Sequence, residues 1–288
     1  MKEKPFSKYQ ILANAVMIIW TLAIILPFIL LFMSSITDEN TLVANGYSFF
    51  PKKFSLASYS YIIKSGGQIL KAYGVSIGVT VVGTLLNVLL SALMAYPLSV
   101  KNLPGRNVMM FFVFFTMLFN GGIVPSYIMW TGTFHIKDTI FAQLLPNFLL
   151  SAWNVMMIRT YFTTSIPDGL YEAAEIDGAS QFTIFWKIVL PLGKPILVTM
   201  GTFAGLAYWN DWTNGLYYIV KNTGLYNVQN IQFLTQSSNS NVTAAASTIP
   251  ATGIQMAIAF VAILPIMLIF PSFQKYYAKG IALGAVKG

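Results

Sequence analysis

Six stretches of this sequence are too long and too apolar to lie in water. Residues 11–33, 73–100, 108–130, 139–158 and 252–273 carry no charged side chain, and 195–212 carries only Asp211, close to its end. A helix of roughly 20 apolar residues is enough to cross the ~30 Å hydrocarbon core of a bilayer. The expected architecture is therefore all-α and integral to a membrane, with six spans over those ranges in one domain, 1–288. A cleaved leader would have a shorter apolar core and a small-residue cleavage site, so 11–33 is expected to be retained. Asn120, Gly121, Gly122 and Pro125 interrupt the third span near one end. Backbone broken at such depth is tolerated only where protein buries it or it lines a cavity.

The remaining composition fits this frame. Charged residues make up 9% of the chain, against roughly 25% in soluble domains. The absence of cysteine excludes disulfides and thiol chemistry. A net charge of +8 would suit a nucleic-acid partner in a soluble protein, but here it reads as orientation. With both termini on the cytoplasmic side, inner segments hold 11 of the 17 Lys and Arg residues, as positive-inside topology requires. No nucleic-acid partner is expected; the surrounding partner is membrane lipid. Residues 37–72 then form an outer loop with one short helix near 56–63. Residues 214–249, rich in Asn, Ser and Thr, form a second, mobile towards Ser237–Asn241. Residues 274–288 form an inner tail.

One inner segment, 164–191, is too patterned for a plain connection. Asp168, Glu172, Glu175 and Asp177 place four of the nine acids within ten residues. Asp168 suits a cap for a first helix to about Ile176, and Gly178 suits the left-handed residue that ends it. Ser180 suits a cap for a second helix, 181–189, which Pro191 stops. Ala173 and Ala174 carry almost no side chain, so another surface can approach them closely.

The spacing of this segment adds a second kind of information. Glu172-Ala173-Ala174, three residues, Asp177 included, to Gly178, nine more to Ile188, then Leu190-Pro191, resembles the EAA loop of bacterial ABC-importer permeases. The resemblance implies a type I importer permease fold and a coupling helix that docks in a cleft of an ATPase subunit. Its partners would be a second permease subunit in a heterodimer, two ATPase subunits and an extracellular solute-binding protein, in the bacterial cell membrane. Gly284, Ala285, Val286, Lys287 and Gly288 resemble the tail of the second permease of the maltose-type group, which reaches the ATPase interface. Leu103-Pro104-Gly105-Arg106 and Phe119 to Pro125 resemble a branch handling complex or plant-derived oligosaccharides.

The chain's own chemistry is sparse. No Walker A sequence is present: Gly193-Lys194 lacks the upstream glycine and is followed by Pro195. ATP and Mg²⁺ would be bound by the partner ATPases, and this chain is expected to bind no cofactor or metal and to catalyse nothing. The single histidine, His135, is expected in solvent. No acid or lysine lies mid-span, which argues against an ion-coupled carrier and suggests a neutral cargo. Asn120 and Asn154 are polar positions on a cargo path. Trp209, Asn210 and Asp211 fit either of two roles: a sugar-stacking surface with hydroxyl-bonding partners, or an interfacial aromatic belt.

Overall fold

The computed structural model describes residues 8–64, 66–241 and 251–285. Side chains are described throughout those ranges except at 66, 238–241, 251, 270 and 272–285. Described residues form helices and turns, with one isolated antiparallel bridge between Thr37 and Phe54. The chain divides into two compact units, Met1–Ile69 with Gln232–Ile266, and Leu70–Ile231 with Met267–Gly288.

In the first unit, α1 (Lys8–Ser35) covers the first expected span. Only Ser34 and Ser35 of α1 are buried, so its apolar surface faces outward along nearly its whole length. Two short helices follow, α2 (Glu39–Asn45) and α3 (Ala57–Lys64). The second of them is the helix expected in the first loop. The helix α4 (Gly66–Ser99) begins in this unit and passes into the second.

The second unit holds the broken helices. After α5 (Arg106–Leu118), the chain bends by 111° into α6 (Ile123–Ile128) and the π-turn that extends it to Thr133. The break falls at the residues expected to interrupt the span. The Asn120 side-chain oxygen accepts a hydrogen bond from the Gly122 N–H at 2.9 Å, and Gly122 has φ +87°.

Residues 139–158, expected as one span, are not one helix. A single turn, α7 (Phe141–Leu144), is followed by irregular chain, and α8 (Ala152–Ser165) then starts afresh. The reason is local: Pro146 has no N–H to donate, and Asn147 is left-handed at φ +68°. Ser151 restarts the helix by accepting from the Asn154 N–H.

Beyond α8 come α9 (Asp168–Ile176) and a helical run from α10 (Gln181–Ile184) through a π-turn (Phe185–Val189) to α11 (Leu190–Leu192). This run was expected to stop at Pro191, but it continues to Leu192. Pro191 sits in the first turn of α11, where the hydrogen-bond register changes from π to α and the missing N–H does least harm. The chain then turns by 79° at Gly193 into α12 (Lys194–Trp209).

The region from 214, expected as an outer loop mobile towards Ser237–Asn241, is largely helical in its described part. It contains α13 (Thr213–Tyr218) and α14 (Val228–Asn241), which takes in Ser237–Asn241. The last helix, α15 (Ala251–Ala285), extends into the expected tail as far as Ala285. Gly284 and Ala285 are therefore its final residues, while Val286, Lys287 and Gly288 lie outside the described residues.

Three helices, Lys8–Ser35, Gly67–Ser99 and Thr252–Ile269, are each long and apolar enough to cross a membrane. Two bent pairs, Arg106–Leu118 with Ile123–Thr133 and Gln181–Leu192 with Lys194–Trp209, pass the same test of length and composition only when taken together, each as a broken span or a re-entrant loop. Within the second unit α4 and α12 pack closely. Adding a Cβ at Gly201 or Gly205 would meet Val88 or Thr84. Here the small residues bring two helices together, as they do inside bilayers.

Candidate coupling site

The acid-rich segment folds as two helices around a glycine turn. The helix α9 ends as its sequence demands. The Asp177 N–H donates to Ala173 O, Gly178 N–H to Glu175 O, and Ala179 N–H to Ala174 O, at 2.9–3.0 Å. Gly178 takes φ +76°, a conformation that an L side chain adopts only under strain. Ser180 caps α10 by accepting from the Thr183 N–H at 3.2 Å. Asp168 was expected to cap α9 but does not: Pro167 holds the cap position without a side-chain bond. Asp168 instead forms an ion pair with Lys101.

A hydrophobic core holds the segment against the ends of α4 and α8. It contains Tyr96, Leu98, Ile158, Phe162, Ile166, Ile184, Phe185 and Val189, with Ile188 and Leu190 half-buried against it. Ala174 belongs to that core at 7% exposure. It is therefore taken up by the chain itself and not offered outward as expected, because it lies on the inner face of α9. Glu172, Ala173, Glu175, Asp177, Gly178 and Pro191 are exposed.

Polar ties run between the elements. The Tyr96 hydroxyl donates to Gln181 Oε1 at 2.6 Å, and Gln181 Nε2 donates to Glu175 Oε1 at 2.9 Å. Tyr96 also stacks on Tyr171 with ring centroids 6.5 Å apart. Burial pushes the Tyr171 hydroxyl above its ordinary pKa, so it stays neutral. Gln181 thus joins both coupling helices to the end of α4. Sequence reasoning missed this residue, because its partners lie 85 and 6 positions away.

The outward surface combines acids with large apolar groups. Ile176 is 86% exposed and Phe182 65%, and Trp186 is also exposed. The Phe182 and Trp186 rings meet edge-on, 6.0 Å between centroids. Apolar groups of this size are expensive to leave in water. The available signal for them was the amphipathic pattern of α9 and α10.

The five residues expected on a cargo path have separate local partners. Asn120 closes the turn before Gly122. Asn154 is buried and its Nδ2 donates to Asn87 Oδ1 at 2.7 Å, while Asn87 Nδ2 donates to Phe148 O at 2.6 Å. Trp209 is buried, with its ring 6.4 Å from that of Tyr73. Asn210 is exposed and ends α12. Asp211 is buried and caps α13: its Oδ1 accepts from the N–H and hydroxyl of Thr213 and from the Asn214 N–H. Within this chain the Trp209 ring packs beside Tyr73 and Asp211 Oδ1 caps α13, while Asp211 Oδ2 is buried with no hydrogen-bond partner among the described residues. Around Asp211 lies a buried polar knot that the sequence did not reveal. Asn227 donates to Asp211 O, Asn230 to Trp212 O, Asn214 to Pro146 O, and Gln143 to Asn230 Oδ1.

Among the described residues, helices long and apolar enough to cross a membrane, together with an exposed acidic helix-turn-helix, fit a membrane transport subunit. The chain belongs to the family of binding-protein-dependent transport system inner membrane components, whose model matches residues 69–283. It is 36% identical over 270 residues to Protein LplC of Bacillus subtilis (strain 168), covering 92% of this chain and 90% of that one. It is 35% identical over 286 residues to the polygalacturonan/rhamnogalacturonan transport system permease protein YtcP of the same organism, covering 97% and 98%. The fold matches a chain in a crystal structure of a bacterial ABC transporter involved in import of the acidic polysaccharide alginate. The TM-score is 0.81 at 25% identity, with 95% of this chain and 100% of that chain covered. The expected type I ABC permease fold and its non-catalytic role as a permease subunit hold for this chain.

Proposed function

We propose that this chain is one half of the permease of an ATP-driven carbohydrate importer and that it couples to an ATPase through residues 168–191. The observation that carries the coupling reading is the exposed face of Glu172, Ala173, Ile176, Asp177, Phe182 and Trp186, mounted on a buried core. The apolar groups fill a cleft on the ATPase, and the carboxylates meet cations at its rim. Ile188, Leu190 and the Tyr96–Gln181–Glu175 ties make the helix pair move as one piece with the ends of α4 and α8. Movement of the ATPase then tilts the spans between inward-open and outward-open states. The tail residues Gly284 to Gly288 contact the same ATPase. Both termini lie in the cytoplasm, and an extracellular binding protein delivers cargo to the opposite face.

The carbohydrate assignment is supported by the cargo named for similar proteins, polygalacturonan and rhamnogalacturonan for one and alginate for another. The decisive experiment is co-purification of the tagged chain in mild detergent, followed by uptake in proteoliposomes with the binding protein. Uronate-bearing and neutral oligosaccharides are compared side by side. A second permease and an ATPase should accompany the chain, and Glu172→Lys should lower cargo-stimulated ATP hydrolysis without dissolving the permease pair. A chain that purifies alone, or a Glu172→Lys complex with normal uptake, would refute the coupling reading. Uptake of neither sugar class would refute the cargo.

A further inference from the structure

The outer surface of the first unit carries an aromatic hairpin that transport and coupling do not use. Residues 36–38 and 53–55 are pinned together immediately after α1. Thr37 and Phe54 form an antiparallel bridge. Asp38 N–H donates to Lys53 O at 3.0 Å, Ser55 N–H donates to Ile36 O at 2.9 Å, and Lys53 pairs with Asp38 at 3.4 Å. The loop between them is thereby held two residues from the end of an apolar helix. Its side chains point away from the chain: Phe50 is 86% exposed, and Tyr47, Phe54 and Leu56 are also exposed. Lys52 and Lys53 lie between the aromatics, both exposed.

We propose that residues 47–56 are an interfacial anchor, laid on the lipid headgroup boundary at the Ser35 end of α1. Two observations select lipid as the occupant. First, α1 spans 28 residues, ~42 Å of helix at ~1.5 Å per residue. That exceeds the ~30 Å hydrocarbon core, so the end at Ser35 reaches headgroup depth. The pinned ladder holds Phe54 at the same level. Second, the mixture of aromatics and lysines matches the boundary itself. Aromatic rings favour the zone between acyl chains and water, and the Lys52 stem lies along apolar surface while its ammonium reaches the phosphates; Lys53 is held by Asp38. A solute-facing loop gains nothing from Phe50 in water. The anchor adds to the hold on the outer end of α1, where Ser34 and Ser35 are buried and Phe32 meets Phe260, while the rest of the helix is left largely uncovered by its own unit.

The inference rests on α1 crossing the bilayer, and the experiment separates the two. The chain contains no cysteine, so a single introduced cysteine takes a nitroxide at one site, with the unmodified chain in its complex as the background. Phe50→Cys, Tyr47→Cys and, mid-span, Ile24→Cys are labelled in the assembled importer in lipid nanodiscs. Collision with oxygen is then compared with collision with a water-soluble nickel chelate. Ile24 should favour oxygen strongly, and Phe50 and Tyr47 should also favour oxygen, but less so. A nickel-favouring signal at both loop sites, with Ile24 normal, overturns the anchor. Protection of both loop sites from both reagents assigns the hairpin to a protein partner and overturns it equally. A nickel-favouring Ile24 shows that the crossing itself is wrong. Tyr47 keeps the proposal testable if Phe50→Cys does not assemble.

Discussion

The turn at Gly178 gives a clean measure of how much coupling depends on one backbone conformation. Its φ of +76° is left-handed, and a Cβ built there meets no atom within 4 Å. Substitution within this chain therefore costs backbone strain and little else. For an L residue that strain is roughly 1–2 kcal/mol, a roughly 5- to 30-fold loss in the population holding the turn. Asn tolerates the left-handed region better than Ala, and a β-branched residue tolerates it worst. The expected order of cargo-stimulated ATPase and uptake in proteoliposomes is Gly, then Gly178→Asn, Gly178→Ala and Gly178→Val. Complex assembly is checked by size exclusion for each. The order of Asn and Ala is the informative one. If Gly178→Asn is worse than the smaller Gly178→Ala, crowding against a bound partner governs the site and the strain argument fails. Wild-type coupling in Gly178→Val would refute it outright.

Three further outcomes follow from separate contacts. Tyr96→Phe removes the donor to Gln181 Oε1, and a hydrogen bond of roughly 0.5–1.5 kcal/mol should appear as a lower ratio of cargo moved to ATP hydrolysed. An unchanged ratio would remove Gln181 from the coupling path. Gly83→Ala places a Cβ against the ring of buried Tyr208, whose hydroxyl donates to Leu144 O. Overpacking there should cost roughly 1–3 kcal/mol, visible as a lower thermal midpoint of the purified complex. The Asp138 carboxylate accepts from the N–H groups of Val220, Lys221 and Asn222. These bonds, Lys221's first, hold its pKa below the ordinary value. The stabilisation is present above the unfolded value of ~3.9 and is lost as pH falls through the lower folded value. Hydrogen exchange at Val220 and Lys221 should accelerate over that acid range, and Asp138→Asn should abolish the pH dependence.

The apolar stretches 11–33, 73–100 and 252–273 lie, Val100 apart, in helices long and apolar enough to cross a bilayer, because such length is a property of the sequence itself. Residues 139–158, by contrast, are not one helix. Local signals were equally dependable where the chemistry is local. Ser180 caps its helix, Gly178 is left-handed, and Asn120 breaks the third crossing. The spacing from Glu172 to Pro191 was enough to indicate the family, since a docking helix must keep its distances whatever surrounds it. What the sequence could not decide was which neighbour each side chain would meet. Ala173 and Ala174 read alike, yet only one faces out, because α9 rolls Ala174 onto Ile184 and its surroundings. Asn154 reads as a polar position on a cargo path, and Asp211 as either a hydroxyl-bonding partner or part of an interfacial belt. Asn154 donates its amide to Asn87, 67 positions away. Asp211 uses one carboxylate oxygen, Oδ1, on the first turn of α13, leaving Oδ2 buried with no hydrogen-bond partner among the described residues. Pro191 reads as a helix stop, but a π-turn just before it lets the helix run on to Leu192. A buried polar group must be paired, and only the tertiary structure decides with what.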